Sequence, residues 1–432
     1  MLRAGVCVWG IRGGIASLVS WGCLAAAIFF HPAALAQELR LEPLVQEALE
    51  RSPEILAARA RALAAHHKAP QARSLPDPMF MTGYQNEGWK KYTYGEMPDA
   101  QWMFSASQMI PFPGKLELKG QMAEREAEAL EANVEVLSLQ VVSRVKELFQ
   151  ELFLAHKTLE ILSRTLSLFQ RVEEAALARY SSGKGEQQEV LMAQTERYML
   201  LEREEMQKQR VRSLEAMLNA ALGRPTDAPL GRPREPQITP LSHSADELVR
   251  MAQERSPQVK ARERMIQAAE TRVSMAKKEF FPDLTLAGNY FSRGGGQLED
   301  MWSLTATVNV PIFFKSKQEE GVKEAGASLA EARHELEATR LMLASNLRDN
   351  LSMLKAAENL MALYRGAIIP KNYQDFELAL SGYITGRIEA ITVISRLKAF
   401  LDTELLYWSQ FTQREKALAR IEALVGGGGE SQ

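Results

Sequence analysis

The sequence predicts a mainly α-helical chain with a small β component, made of one helix–strand–strand–long-hairpin unit used twice. Three observations carry this. Landmarks recur in the same order: Leu44-Val45 and Glu50-Arg51-Ser52-Pro53 return as Leu248-Val249 and Glu254-Arg255-Ser256-Pro257. Trp102, Ala106, Pro111 and Lys115 return as Trp302, Ala306, Pro311 and Lys315, and Tyr180, Gly183, Glu186 and Val190 as Tyr383, Gly386, Glu389 and Val393, at offsets of 204, 200 and 203. A repeated sequence block is one structural unit that needs its copy to bury its faces. Second, Gln121 to Tyr180 contains neither glycine nor proline and is apolar at every seventh residue from Ala127 through Val134, Val141, Leu148, Ala155, Leu162, Phe169 and Ala176. That period makes a long, left-handed supercoiling helix. Third, two short stretches alternate apolar and polar residues, as strands with two unlike faces do.

In chain order, residues 1–36 combine Arg3 and Arg12, an apolar run from Ile15 to Phe30 and small residues at Ala34-Leu35-Ala36. This predicts a cleavable secretory signal, with an uncleaved inner-membrane anchor as the alternative. The first repeat, 37–222, opens with a helix over 41–73 interrupted near Pro53 and ended by Pro76-Asp77-Pro78, since proline removes a donor and restricts the residue before it. Strands follow at 79–86 and 101–110, separated by a polar, aromatic loop at 87–100. The hairpin 115–222 has its tip near 181–186, where Gly183 and Gly185 break the rod. Five prolines in 223–243 make an extended linker. The second repeat, 244–425, repeats the order: helix 245–279, strands 283–292 and 301–310, and a hairpin 317–425 with helices 317–381 and 388–425 around a tip at 382–387. Gly366 and Pro370 mark a kink in its first arm. Residues 426–432 form a glycine-rich tail.

Trp302, Leu304, Ala306, Val308 and Val310 alternate with Ser303, Thr305, Thr307 and Asn309; Trp102, Phe104, Ala106 and Ile110 alternate with Met103, Ser105, Ser107 and Met109. Such strands suit a tilted membrane barrel with lipid outside and water inside, or a soluble sheet with one dry face. Four strands are too few to close a barrel, which takes about eight. Either several copies close one together or the strands are soluble.

Composition narrows the chemistry. Both cysteines, Cys7 and Cys23, precede Gln37, so a processed chain has no thiol for a disulfide, a zinc site or a nucleophile. Fifty basic against 54 acidic residues after residue 36 give a charge near −4, which does not point to nucleic acid. Adjacent His66 and His67 point apart on a helix, and no His-x-x-x-His spacing occurs, so no metal site or cofactor is expected. Met192, Met199 and Met206 read as seam packing. No phosphate-binding glycine loop or serine–histidine constellation appears, and no enzymatic activity is expected.

The chain resembles the TolC-like outer membrane factor family, the exit ducts of tripartite efflux and secretion systems. The resemblance covers the sequence after the leader. It rests on Leu75-Pro76-Asp77-Pro78, Pro111-Phe112-Pro113-Gly114-Lys115, Arg179-Tyr180 with Gly183 and Val190-Leu191, Leu222-Gly223-Arg224-Pro225 and the duplication itself. It implies a homotrimer with a 12-stranded barrel in the outer membrane and an α-helical tunnel through the periplasm. The expected partners are outer-membrane lipid, a periplasmic adaptor and an inner-membrane transporter of the resistance-nodulation-division type, with metal cations or small toxic compounds as cargo. The outer-membrane part of a type I protein secretion system and a soluble periplasmic coiled-coil scaffold are the alternatives. By the same resemblance Gly183, Lys184, Gly185, Gly386, Arg387 and Ile388 form the adaptor-contacting tips. Glu189, Glu389, Thr392 and Ser395 lie at the periplasmic entrance, where Thr392 and Ser395 replace acids found in some relatives. Ser303, Thr305, Thr307 and Asn309 would face the barrel lumen.

Overall fold

A computed structural model describes residues 38–241 and 243–426; the expected signal segment and nearly all of the expected tail lie outside these residues. The duplicated order is present. The first repeat comprises α1 (Leu41–Arg51), α2 (Pro53–Arg73), β1 (Met79–Gln85), β2 (Gln101–Ile110), α3 (Lys115–Ser181) and α4 (Gln187–Leu222). The second comprises α5 (Ala245–Arg255), α6 (Pro257–Lys278), β3 (Leu284–Ser292), β4 (Met301–Val308), α7 (Gln318–Leu363), a π-helical turn (Tyr364–Ile368), α8 (Ile369–Ile384) and α9 (Ala390–Val425). In both repeats the opening helix is interrupted at a serine, Ser52 or Ser256, with proline at the first position of the next helix. Proline is at home there because its missing N–H would have no helical partner.

Several boundaries differ from the sequence expectation. β4 ends at Val308 rather than 310: the Asn309 N–H still donates to the in-register Asp283 carbonyl (3.1 Å), but Pro311 has no N–H to carry the ladder further. Asn309 therefore lies beyond the strand in which the sequence placed it. β1 stops at Gln85 and β3 starts at Leu284, each one residue inside the expected span. The first arm of the second hairpin runs to Ile384, not 381, and its expected kink is the π-helical turn, where the Ile369 N–H reaches back five residues to Tyr364 O. Pro370 lies just beyond it, so the regular ladder loses a donor at this point.

The 67 residues of α3 form one unbroken helix, about 100 Å long at 1.5 Å per residue. Its seven-residue apolar series faces inward: Ala127, Val141, Ala155, Leu162, Phe169 and Ala176 are buried, and Val134 and Leu148 half-buried. Along its middle, Val141, Val145, Phe149 and Leu152 pack with Leu44, Ile55, Leu214 and Leu218 of its own repeat. The second repeat builds its counterpart from Leu248, Leu347, Leu351, Leu418 and Ile421. Towards the tips the repeats share one core, with Phe169, Val172 and Val190 against Phe376, Val393, Leu397 and Phe400. Along the α3–α9 seam run the ion pairs Arg420–Glu147 (2.7 Å), Lys416–Glu151 (2.6 Å) and Lys146–Glu422. Met192 packs against the shared core, whereas Met199 and Met206 are exposed in the single chain.

One charge lies deep in this packing. Arg414 on α9 is 1% exposed. It donates to Glu358 on α7 (3.0 Å), to the neighbouring Glu415 and to the Thr239 carbonyl of the linker (2.6 Å). Burial pushes the Glu415 carboxyl above the usual carboxylate range, although Arg414 pulls it the other way. The arginine thus ties the linker to the helices by satisfying a carbonyl and two carboxylates at once. Removing one member of a buried charged group leaves its partners unpaired. Arg414→Met is expected to cost about 3 kcal/mol, read as a lowered guanidinium midpoint of the purified protein, with Arg414→Lys recovering part of the loss.

Candidate functional site

The two hairpin tips have the same local construction. Gly183 (φ +70°) and Gly386 (φ +80°) occupy the left-handed region that glycine enters without strain. In the first tip the Gly183 N–H donates to Tyr180 O (3.0 Å) and the Lys184 N–H to Arg179 O (2.9 Å). In the second, Gly386 donates to Tyr383 O (3.0 Å) and Arg387 to Gly382 O (2.8 Å). This paired reversal satisfies the last carbonyls of each arm and frees the chain to turn back. Lys184 and Arg387 are exposed, and among the described residues neither side chain takes part in an ion pair. Ile388 is turned inward instead: it packs on Gly382, where an added Cβ would lie 2.6 Å from the Ile388 Cδ1.

The tips are joined to each other by three side chains. Arg179, at the end of α3, donates to the Tyr383 carbonyl of α8 (2.7 Å) and to the Lys184 carbonyl of its own tip (3.0 Å). Its guanidinium lies over the Tyr383 ring, 4.8 Å from the centroid. The Tyr383 hydroxyl donates to the Glu189 carboxylate (3.0 Å), and Arg179 Nε stands 3.8 Å from the same carboxylate. Tyr383 is fully buried. Burial first, and then its hydrogen bond to anionic Glu189, pushes the phenol up to about 12.

Of the entrance residues expected from the sequence, Glu189 is thus half-buried within this clasp, while Glu389 is exposed at the N-cap of α9. Thr392 is half-buried and Ser395 exposed. The sequence reading missed Arg179 and Tyr383 as contact residues. The available signal was asymmetry within the repeat: Tyr180 and Tyr383 correspond, but Arg179 and Glu189 have Gly382 and Thr392 as counterparts. The clasp joins the repeats within the chain without a second copy of itself.

At the far end the strands form one antiparallel sheet in the order β1-β2-β3-β4. Residues directly opposite share a face, so Phe80, Ala106, Gly288 and Leu304 lie on one side, and Met81, Ser105, Asn289 and Ser303 on the other, where Met103, Phe291 and Met301 also fall. Extending the alternation, Trp102, Phe104, Tyr290, Trp302 and Val308 fall on the first face, and Ser107, Thr305 and Thr307 on the second. The polar face is linked across strands, with Asn289 donating to the Ser303 hydroxyl (3.1 Å). β1 and β4 are not paired to each other, so the sheet is open. The loop after β1 is held by Asn86 and Thr93 and abuts Gly294 in the β3–β4 loop.

Among the described residues no helix is long and apolar enough to cross a membrane, and no cluster of three or more metal-ligating side chains occurs. The chain belongs to the outer membrane efflux protein family, whose model matches residues 44–224 and 248–427. It is similar to the nickel-cobalt-cadmium resistance protein NccC of Alcaligenes xylosoxydans xylosoxydans, with 23% identity over 344 residues, covering 78% of this chain and 76% of that protein. It also resembles outer membrane protein OprJ of Pseudomonas aeruginosa, with 25% identity over 186 residues; this stretch is 40% of the chain and only 38% of OprJ. The fold matches the outer membrane protein VceC of Vibrio cholerae with a TM-score of 0.74, 20% identity and coverage of 90% and 97% of the two chains.

The raised phenol gives the clasp a defined pH window. A group whose pKa is raised on folding contributes fully below its unfolded value and loses that contribution as pH rises through the folded one. The Tyr383–Glu189 contact is therefore expected to stay intact up to about pH 10 and to weaken towards pH 12. Difference absorbance titration of wild type against Tyr383→Phe should isolate one late-titrating phenol, and Glu189→Ala should bring its midpoint back towards 10.

Proposed function

We propose that three copies of this chain close a 12-stranded barrel in the outer membrane and continue into the periplasm as an α-helical tunnel, conducting cargo outward without an energy source of its own. The open four-stranded sheet carries this reading. It has one apolar face, one face mixing Ser, Thr and Asn with methionines, and two unpaired edges, and lipid tolerates a sheet only when closure pairs every edge. Three times four strands exceeds the number needed for closure, and lumen-facing Ser303, Thr305 and Thr307 would then line a polar passage. Asn309 would sit at its periplasmic rim. Residues 1–36 serve export as a cleavable signal.

In this reading the hairpin tips face the inner membrane, where a periplasmic adaptor meets Gly183, Lys184, Gly386 and Arg387. The pump is an inner-membrane transporter of the resistance-nodulation-division type. Similarity to a nickel-cobalt-cadmium resistance protein favours divalent metal cations as cargo. Glu189 and Glu389 supply acidic groups at the entrance beside Thr392 and Ser395.

Native mass of the protein extracted from outer membranes in mild detergent tests the assembly: a trimer is expected, and a soluble periplasmic monomer would overturn it. The charge-reversed variant Lys184→Glu with Arg387→Glu is expected to lose crosslinking to the adaptor and most efflux while remaining trimeric. Wild-type efflux with unchanged crosslinking would remove the tips from the docking site.

A further inference from the structure

The barrel end of the chain contains a contact that joins the two repeats. Lys115, at the start of α3, is 2% exposed and donates to the Phe281 carbonyl (2.9 Å) and the Asp283 carboxylate (3.0 Å). Asp283 also accepts the Phe112 N–H (2.8 Å), and the Phe112 and Phe281 rings stack at 4.4 Å. The residues leaving β2 are thereby fastened to the residues entering β3, and the two strands pair directly.

The duplication supplies counterparts for both ends of this contact. Lys115 corresponds to Lys315, and the Pro282-Asp283 that precedes β3 corresponds to the Pro76-Asp77 that precedes β1. Backbone pairing confirms the correspondence. Tyr84 faces Trp102 and Phe80 faces Ala106 in the first strand pair; under the same offsets Tyr290 faces Trp302 and Leu286 faces Ala306 in the second, as observed. Yet Lys315 follows β4 and Asp77 precedes β1, at opposite edges of the open sheet. Both are exposed, and among the described residues neither joins an ion pair. The counterparts of the stacked rings, Ile312 and Leu75, are 69% and 54% exposed.

We propose that Lys315 of one copy pairs with Asp77 of the next, fixing β4 antiparallel to β1 of that copy with Leu304 opposite Tyr84, Ala306 opposite Thr82 and Val308 opposite Phe80. The occupant of each sheet edge is a second copy of this chain, and the inference rests on the ring of copies proposed above. Charge complementarity supports it, with the cation behind one edge and the carboxylate ahead of the other. So does face parity: the β2–β3 register, carried over by the repeat, sets the apolar side of β4 beside the apolar side of β1. A slip of one residue would put tryptophan and leucine on the polar face. The ion pair forms the seam between copies as Lys115–Asp283 forms the seam within one.

Two measurements on the full chain in mild detergent test this. Asp77→Lys and Lys315→Asp should each lower the trimer fraction several-fold in native mass, and the double exchange should restore it. Because no cysteine follows residue 36, oxidised Thr82→Cys with Ala306→Cys should give covalent dimers and trimers, since opposed residues bring their Cβ atoms within about 5.5 Å. Phe80→Cys with Leu304→Cys, four residues out of register, should not. Trimers that tolerate both single reversals, or that crosslink only at the out-of-register pair, would overturn the inference and leave the ring standing. A monomeric native mass for the unmodified chain would overturn the ring itself, and the inference with it.

Discussion

A sheet edge exposed to hydrocarbon leaves N–H and C=O groups with nothing to bond, and no arrangement of side chains repairs that. The rest of this chain follows from the constraint. Four strands with unlike faces cannot satisfy it alone; in the proposed ring, copies of the chain complete what each sheet leaves open. The helical part supplies that presentation. Each strand pair stands on a long hairpin, and the hairpins pack side by side through the shared core of Phe169, Val172, Phe376 and Leu397. The buried Lys115–Asp283 contact then sets how the two strand pairs meet. Order in the sheet depends on order in the rods beneath it.

Much of this was legible in the residues. The seven-residue series from Ala127 marks the buried stripe of α3 because a supercoiled seam repeats every 3.5 residues, and every member is buried or half-buried. Gly183 and Gly386 announce their turns, since few other residues adopt their φ at low cost. The alternation in β2 and β4 separates the two faces that the register then displays. Ends of elements were less legible. Val310 alternates as though still in β4, but the ladder runs out after the Asn309–Asp283 bond because Pro311 offers no N–H.

The least legible features are contacts between residues far apart in sequence. Nothing near Arg414 indicates that its guanidinium is buried against a linker carbonyl 175 residues away. Arg179 enters the sequence reading only as part of the Arg179-Tyr180 motif, and its role appears when Tyr383, from the other repeat, is placed under it. Glu189 was expected at the entrance for its charge, yet its carboxylate is engaged by a buried phenol. Where the two repeats share a residue, the sequence could be compared with itself; where they differ, as at Arg179 and Gly382, only the fold shows what the difference does.

The π-helical turn at Tyr364–Ile368 has a mechanical consequence. α3 is a strut without a joint from barrel to tip, whereas the corresponding arm, α7 to α8, is jointed partway along. A load applied at the tips would meet a continuous helix in one arm and an irregular turn in the other. In a ring of three copies, stiff and jointed struts alternate, so the far end would change its bore as a threefold figure although its parts approximate a sixfold one.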